Sequence, residues 1–270
     1  MNYFDSVILG IIQGITEFLP VSSSGHLAVM KYFLGLKDVP VLFDVMLHVA
    51  TLIVVIAMFW RRIVGIVVSL WFWITGKKRE EDSINLWIVI LVLASTVITA
   101  LFGLFLSNYE EKISKNPLIV ACLFLITGLF LITTLWFRGS KSYKDMSIGN
   151  AMFIGLAQGI GVLPGISRSG ITITSSLAIK INRETAAEYS FLISIPAIVG
   201  AVILKLKDIN QLLNVVSIDV LAVGFVTTVI VGFLSLSILL KIVRKGRLYL
   251  FSFYLIPLAV LIFVKYLMFR

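Results

Sequence analysis

Three stretches without a single charged residue, Ser83 to Tyr109, Asn116 to Phe137 and Val220 to Leu240, constrain this chain more than any other feature. Each is long enough for the roughly 20 residues a helix needs to cross the ~30 Å hydrocarbon layer of a bilayer. A backbone in lipid must satisfy its own hydrogen bonds, and runs of this length do so as helices. Residues 41–60, 186–204 and 248–266 supply three more spans. The expectation is an all-α polytopic membrane protein with six spans near 41–60, 85–106, 117–137, 186–204, 219–240 and 248–266. The run Ile63 to Gly76, with Trp71 and Trp73, is too short to cross and reads as interfacial. With 59% hydrophobic and 14% charged residues among 270, no ordinary soluble domain fits.

The net charge of +9 is held in short Lys/Arg clusters between apolar spans, a pattern that topology and lipid headgroups explain, so nucleic acid is not an expected partner. The basic clusters at 61–62 with 77–79, at 138–144 and at 241–247 are assigned to the cytoplasmic side, which places both chain ends outside. Segments 108–116 and 205–211 are then outward loops, and the runs Glu110–Glu111 and Glu80–Glu81–Asp82 are taken as solvated. Cys122 is alone, so no disulfide framework or cysteine metal site is expected. The first ten residues lack a basic n-region and a small-residue cleavage site, and are expected to remain in the mature protein.

A repeat emerges when LGIIQGITEFLPVSSSGHL (9–27) is laid against IGLAQGIGVLPGISRSGIT (154–172): Gly10, Gln13, Gly14, Ile15, Ser22, Ser24 and Gly25 meet identical residues. Each copy is an apolar run of about a dozen residues, an irregular Pro/Ser-rich bend and a second short apolar run. Neither run can span alone. The expected form is a re-entrant helical hairpin, at 3–36 and 148–180, each followed by three spans. Repeats of 1–145 and 146–270 would then be inverted within a single membrane domain, since three is odd. Irregular backbone at membrane depth survives where protein buries it or a cavity meets it, so the two bends should meet near the midplane.

The first bend carries Glu17, Ser22, Ser23, Ser24 and His26, and the second Ser167, Arg168, Ser169, Thr172 and Thr174. Serines before a helix are more often caps or packing residues than reactive groups, and helix starts with free N–H groups bind phosphate. Glu17, His26 and Arg168 differ, because ionisable side chains at membrane depth are costly enough to imply function. Two helix starts and one guanidinium fork suit a phosphate-sized anion. Asp44 and His48, one turn apart, are expected to form a structural pair facing the bundle interior, with metal ligation as the lesser alternative.

QGITEFLPVSSSGHL with FDVMLHVATL, followed by LPGISRSG, resembles the undecaprenyl pyrophosphate phosphatase family of bacteria, also called bacitracin-resistance proteins. The resemblance covers nearly the whole chain. It implies an enzyme of the bacterial cytoplasmic membrane that removes the terminal phosphate of a C55 isoprenoid pyrophosphate, returning the monophosphate carrier to peptidoglycan synthesis and conferring bacitracin resistance. It implies a divalent cation, Mg²⁺ or Ca²⁺, and an active site facing outward. Carried over by position, Glu17 and His26 match essential residues, Ser23 a serine proposed as nucleophile, and Arg168 the arginine of the PGxSRSG motif. Ser22, Ser24, Ser167, Ser169 and Thr172 are the expected substrate-binding residues. Many relatives have glutamate where this chain has Gln13, so the metal is assigned to Glu17 with Gln13 beside it.

In chemical terms, Arg168, a cation on Glu17 and the helix starts would neutralise the two phosphates. Ser23 would attack with His26 taking its proton, the two lying on one helix face; direct attack by His26 uses the same residues. The other function class is a lipid-phosphate flippase, since inverted repeats with broken helices are a transport plan. The expected partners are the lipid substrate and the bilayer, and homodimerisation is left open.

Overall fold

The computed structural model describes residues 1–36, 39–77 and 79–268. It contains twelve α-helices among the described residues: α1 (Tyr3–Thr16), α2 (Ser23–Phe33), α3 (Val41–Met58), α4 (Trp60–Ile74), α5 (Ser83–Ser114), α6 (Pro117–Ile132), α7 (Ile148–Ile160), α8 (Arg168–Ala178), α9 (Arg183–Lys205), α10 (Ile209–Val215), α11 (Ile218–Arg244) and α12 (Ser252–Met268). Among the described residues six segments are long and apolar enough to cross a membrane: Val41–Met58, Glu80–Glu110, Pro117–Leu135, Arg183–Val215, Ile218–Arg244 and Leu248–Tyr266. The chain is an all-α polytopic membrane protein.

The helix starts follow capping chemistry. Asn2 caps α1 through the amide of Asp5, Ser147 caps α7 through Asn150, and Asn182 caps α9 through Thr185. Pro117 opens α6, where its missing N–H costs nothing. The α4 helix exposes Trp71 and Trp73, while its Ser69 is buried against Asp82, as an interfacial helix lying on the bundle would.

Three expectations need correction. Segment 108–116 is not a loop for most of its length, because α5 continues to Ser114 and carries a half-buried Glu110 within it. Nor is Asp82 solvated: it is 1% exposed and accepts hydrogen bonds from Ser69 Oγ at 2.7 Å and from the Arg79 amide and guanidinium. In both places the local charge run resembled a loop, and tertiary contacts supplied partners that no local pattern reveals. Segment 205–211 likewise continues into the short helix α10.

The helices that lead into the two bends pack in matching ways. The α1 helix lies on α11, where Thr228 donates to the carbonyl of Gly10 at 3.1 Å; α7 lies on α5, where Thr99 donates to the carbonyl of Gly155 at 2.9 Å. Gly10 and Gly155 are partners in the sequence repeat, and at each a Cβ would sit about as close to the facing backbone, 2.6 Å from Gly224 O and 2.5 Å from Ser95 O. The missing side chains let the helix backbones touch, the usual way apolar helices gain packing where lipid offers no hydrophobic drive. Gly155→Ala is therefore expected to lower thermal stability in detergent by about 1–3 kcal/mol, as overpacking does. Gly200→Ala, where a Cβ meets nothing within 4 Å, should be neutral or raise stability by about 0.5–1 kcal/mol. Equal effects at the two sites would refute the packing role.

Candidate active site

Between α1 and α2 the chain turns through residues 17–22, and between α7 and α8 through 161–167. The two bends touch. The amide of Gly165 donates to Ser22 Oγ at 2.9 Å, Ser169 Oγ donates to the carbonyl of Phe18 at 3.1 Å, and Arg168 binds Glu17 Oε1 through its terminal nitrogen. Gly165 has φ +104°, and a Cβ there would lie 2.6 Å from Leu123 and 2.7 Å from the Val120 carbonyl, so glycine is required on both counts. Thr127 of α6 fixes this bend from behind, donating to Gly165 O at 2.9 Å and accepting from the Ser167 amide at 3.2 Å.

Ser22 sits at the start of α2 with φ 69°, a left-handed conformation that costs a non-glycine residue energy and occurs mostly where surrounding contacts enforce it. Its hydroxyl joins the opposite bend rather than capping its own helix. Ser167 does cap α8, accepting from the Gly170 amide at 3.1 Å. The intrahelical pattern leaves the amides of Arg168 and Ser169 at that helix start without a partner from α8 itself.

Glu17, 7% exposed, is the centre of the assembly. Its Oε1 takes Arg168, and its Oε2 accepts from Ser23 Oγ at 2.6 Å and Gln13 Nε2 at 3.1 Å, with His48 Nε2 at 3.3 Å. The structure thus brings Gln13, Glu17, Ser23 and Arg168 together as expected, but pairs Ser23 with Glu17 rather than with His26. His26 instead directs Nδ1 at the Ser22 carbonyl (2.8 Å) and Nε2 at the Tyr254 hydroxyl (2.8 Å), its ring stacked on Tyr254 and tilted against Phe124. A carbonyl only accepts, so Nδ1 carries the proton there. Tyr254 is half-exposed, which leaves the His26 side as the more open edge of the site. Ser24 is half-buried beside it. Thr172 and Thr174 are fully buried; the Thr172 hydroxyl is tied to Arg168 O and Ser190 Oγ, away from the Glu17 carboxylate.

The sequence reading missed His48. Asp44 does not pair with its side chain: Asp44 binds Lys31 Nζ at 2.7 Å, while its carbonyl receives His48 Nδ1 at 2.8 Å, turning Nε2 onto Glu17. Spacing correctly put Asp44 and His48 on one face, but the partner of His48 lies on another element, 31 positions back in the chain. Tyr254 was missed for the same reason, coming from α12.

Among the described residues no three His, Cys, Asp or Glu side chains converge on one point. A divalent cation would find oxygens at Glu17 and at Gln13 Oε1, a buried acceptor with no hydrogen-bond partner. Mg²⁺ commonly uses one or two protein oxygens and completes its shell with water and substrate phosphate, so this donor set fits. Gln158, the repeat partner of Gln13, has Val162 where a carboxylate would be needed, so only the first hairpin offers both oxygens.

The model of the bacitracin resistance protein BacA family matches residues 6–261. The chain is 43% identical over 259 residues to an undecaprenyl-diphosphatase of Treponema denticola, covering 96% of both chains. It is 40% identical over 268 residues to that of Carboxydothermus hydrogenoformans, covering 98% of this chain and 97% of the relative, and 37% identical over 263 residues to that of Moorella thermoacetica, covering 97% of each. With the paired bends in place and these relatives matching from end to end, the chain belongs to the bacitracin resistance protein BacA family.

Proposed function

We infer that this protein is an integral membrane undecaprenyl-diphosphate phosphatase, releasing phosphate from the C55 isoprenoid pyrophosphate to leave undecaprenyl phosphate for peptidoglycan synthesis. Relatives that bear this activity in their names span the whole chain. The observation that carries the chemistry is the Ser23 hydroxyl donating at 2.6 Å to a carboxylate that also holds Arg168. This is a nucleophile with its proton acceptor already in place.

In the mechanism we propose, the pyrophosphate enters beside Tyr254 and draws Arg168 from Glu17, since two phosphates outcompete one carboxylate for a guanidinium fork. Ser23 Oγ attacks the terminal phosphorus as Glu17 Oε2 takes its proton. The Oγ–P bond forms, the bridging P–O bond breaks, and its electron pair leaves on undecaprenyl phosphate. The departing undecaprenyl phosphate takes that proton from Glu17, and the freed carboxylate then deprotonates a water that splits the phosphoserine, the proton passing back to Ser23 Oγ as inorganic phosphate is freed. Gln13 and His48 hold the carboxylate in line with Ser23, and His26 lies on the Tyr254 side, where a second ring proton on Nε2 would let it donate to a phosphate oxygen. Glu17 and Gln13 Oε1 would hold a divalent cation, Mg²⁺ or Ca²⁺, which when bound supplies charge neutralisation at the phosphates.

The two halves are proposed as inverted repeats whose hairpins enter from opposite faces, a reading supported by the twin Thr–Gly contacts that join α1 to α11 and α7 to α5. With the basic loops 138–144 and 241–247 assigned to the cytoplasm by their charge and the first hairpin entering from outside, the site is proposed to open outward in the bacterial cytoplasmic membrane. Purified protein in detergent is expected to release phosphate from a long-chain isoprenoid pyrophosphate and to lose most of that activity with chelator, recovering it with Mg²⁺ or Ca²⁺. No release under any of these conditions would refute the phosphatase and favour a flippase; release insensitive to chelator would remove the metal alone.

A further inference from the structure

Three spans end around one cleft of about 610 Å³, far from the bends and lined by Arg138, Gly139, Asn182, Arg183, Glu184 and Arg244. Arg183 opens one span, Arg244 closes another, and Arg138 follows the end of a third, so all three guanidiniums sit where apolar helix gives way to water. The 11-residue α8 separates this end from Arg168, roughly 16 Å of helix.

The cleft is built rather than incidental. The chain on either side of its lining residues Gly139 and Asn182 is clamped by the Lys141 amide donating to Lys180 O at 3.0 Å and by the Asn182 amide and side chain donating to Lys141 O at 2.9 and 2.8 Å. The guanidinium of Arg183 lies against the turn after α11: Gly246 has φ +67°, and a Cβ there would fall 2.3 Å from an Arg183 nitrogen. Arg244 pairs with Glu184 at 3.2 Å, both side chains well exposed. Among the described residues Arg138 and Arg183 have no carboxylate partner, leaving two uncompensated forks facing one opening. Beside them Trp136 is 71% exposed, as aromatic residues at headgroup level are.

We propose that this cleft binds a phosphate group at the membrane surface, carried by an anionic phospholipid headgroup of the cytoplasmic leaflet. Guanidinium forks match phosphate oxygens two at a time, and basic pockets between spans on that side suit anionic headgroups. The site is separate from the phosphatase centre and does not depend on it.

The test is lipid retention by the detergent-purified full chain, read by native mass spectrometry after incubation with phosphatidylglycerol or phosphatidylcholine, for wild type, R138Q, R183Q, the double variant and K241Q. Lys241 lies on the last turn of α11 outside the cleft and controls for general surface charge. The expected result is preferential retention of phosphatidylglycerol, weakened roughly fivefold by each cleft substitution and roughly 25-fold by both, at about 1 kcal/mol per charge near the surface. K241Q should retain the wild-type preference, and all variants should keep phosphatase activity. A second arm adds inorganic phosphate without anionic lipid: stabilisation of wild type lost in R138Q and R183Q would support the same site with free phosphate as its source. Absence of any preference in both arms, or equal loss in K241Q, would overturn the proposal. Because R138Q alters an exposed side chain, it reads the site even if R183Q disturbs the Gly246 turn.

Discussion

Ser23→Ala is expected to reduce phosphate release by at least about a thousandfold, since the attacking atom itself is removed and residues acting as one catalytic unit lose nearly all activity singly. Glu17→Gln should lower kcat by about 10²–10⁴, the usual contribution of a positioned general base. The two losses have different companions. Ser23→Ala leaves the Arg168–Glu17 pair intact, so substrate must still compete with the carboxylate. Glu17→Gln releases Arg168, so KM should hold or fall while kcat collapses. Quenched wild-type turnover should show a phosphate on Ser23 by mass spectrometry, absent in Ser23→Ala. His26→Ala, which removes neither the Oγ–H nor its acceptor, should damage turnover less than Ser23→Ala. A near-normal rate for Ser23→Ala would move the attack to His26 or to water and refute the assignment; a His26→Ala loss equal to that of Ser23→Ala would argue for His26 as the attacking group.

What the sequence made legible depends on how local the cause is. Span count follows from lengths of apolar chain against a fixed bilayer thickness, and it was readable. The choice of Glu17, His26 and Arg168 as site candidates rests on a local cause too, because each is expensive at membrane depth wherever its partners lie. The partners themselves were not readable. Ser23 lies three residues from His26, which suggested a hydroxyl–imidazole pair, yet the Ser23 hydroxyl donates to Glu17, just after the left-handed turn at Ser22, and α12 brings Tyr254 to the imidazole. Asp44 and His48 looked self-sufficient because helical spacing is a local rule; Lys31 and Glu17 divide them. The same applies to Asp82, whose charge run resembled a solvated loop until Ser69 and Arg79 enclosed it. In each case the error lay in giving a polar side chain the nearest partner in sequence, where a membrane bundle gives it the nearest partner in space.

Arg168→Lys is expected to keep the protein folded and to lower turnover by about a hundredfold, the effect of losing a charge-assisted contact of on the order of 3 kcal/mol made in the transition state. Lysine restores the charge and can still reach a carboxylate, but as a point charge it cannot hold two phosphate oxygens at fixed angles. The competing account has support in the structure, because Arg168 is bound to Glu17, 151 residues away in the chain, and a buried ion pair can be purely architectural. On that account lysine would preserve activity, and alanine would destabilise by about 3–5 kcal/mol through the charge left unpaired on Glu17. Glu17 is not left bare, however: Ser23, Gln13 and His48 remain on its other oxygen, so alanine should cost less stability than a broken isolated pair. Adding Glu17→Gln to Arg168→Ala separates the accounts further, since neutralising both partners would restore stability in either case but cannot restore phosphate binding. Thermal midpoints and turnover measured on all three variants decide it. An active lysine variant would make Arg168 architectural; a folded and inactive one leaves the pair as a resting contact, held by Glu17 until the substrate phosphates take its place.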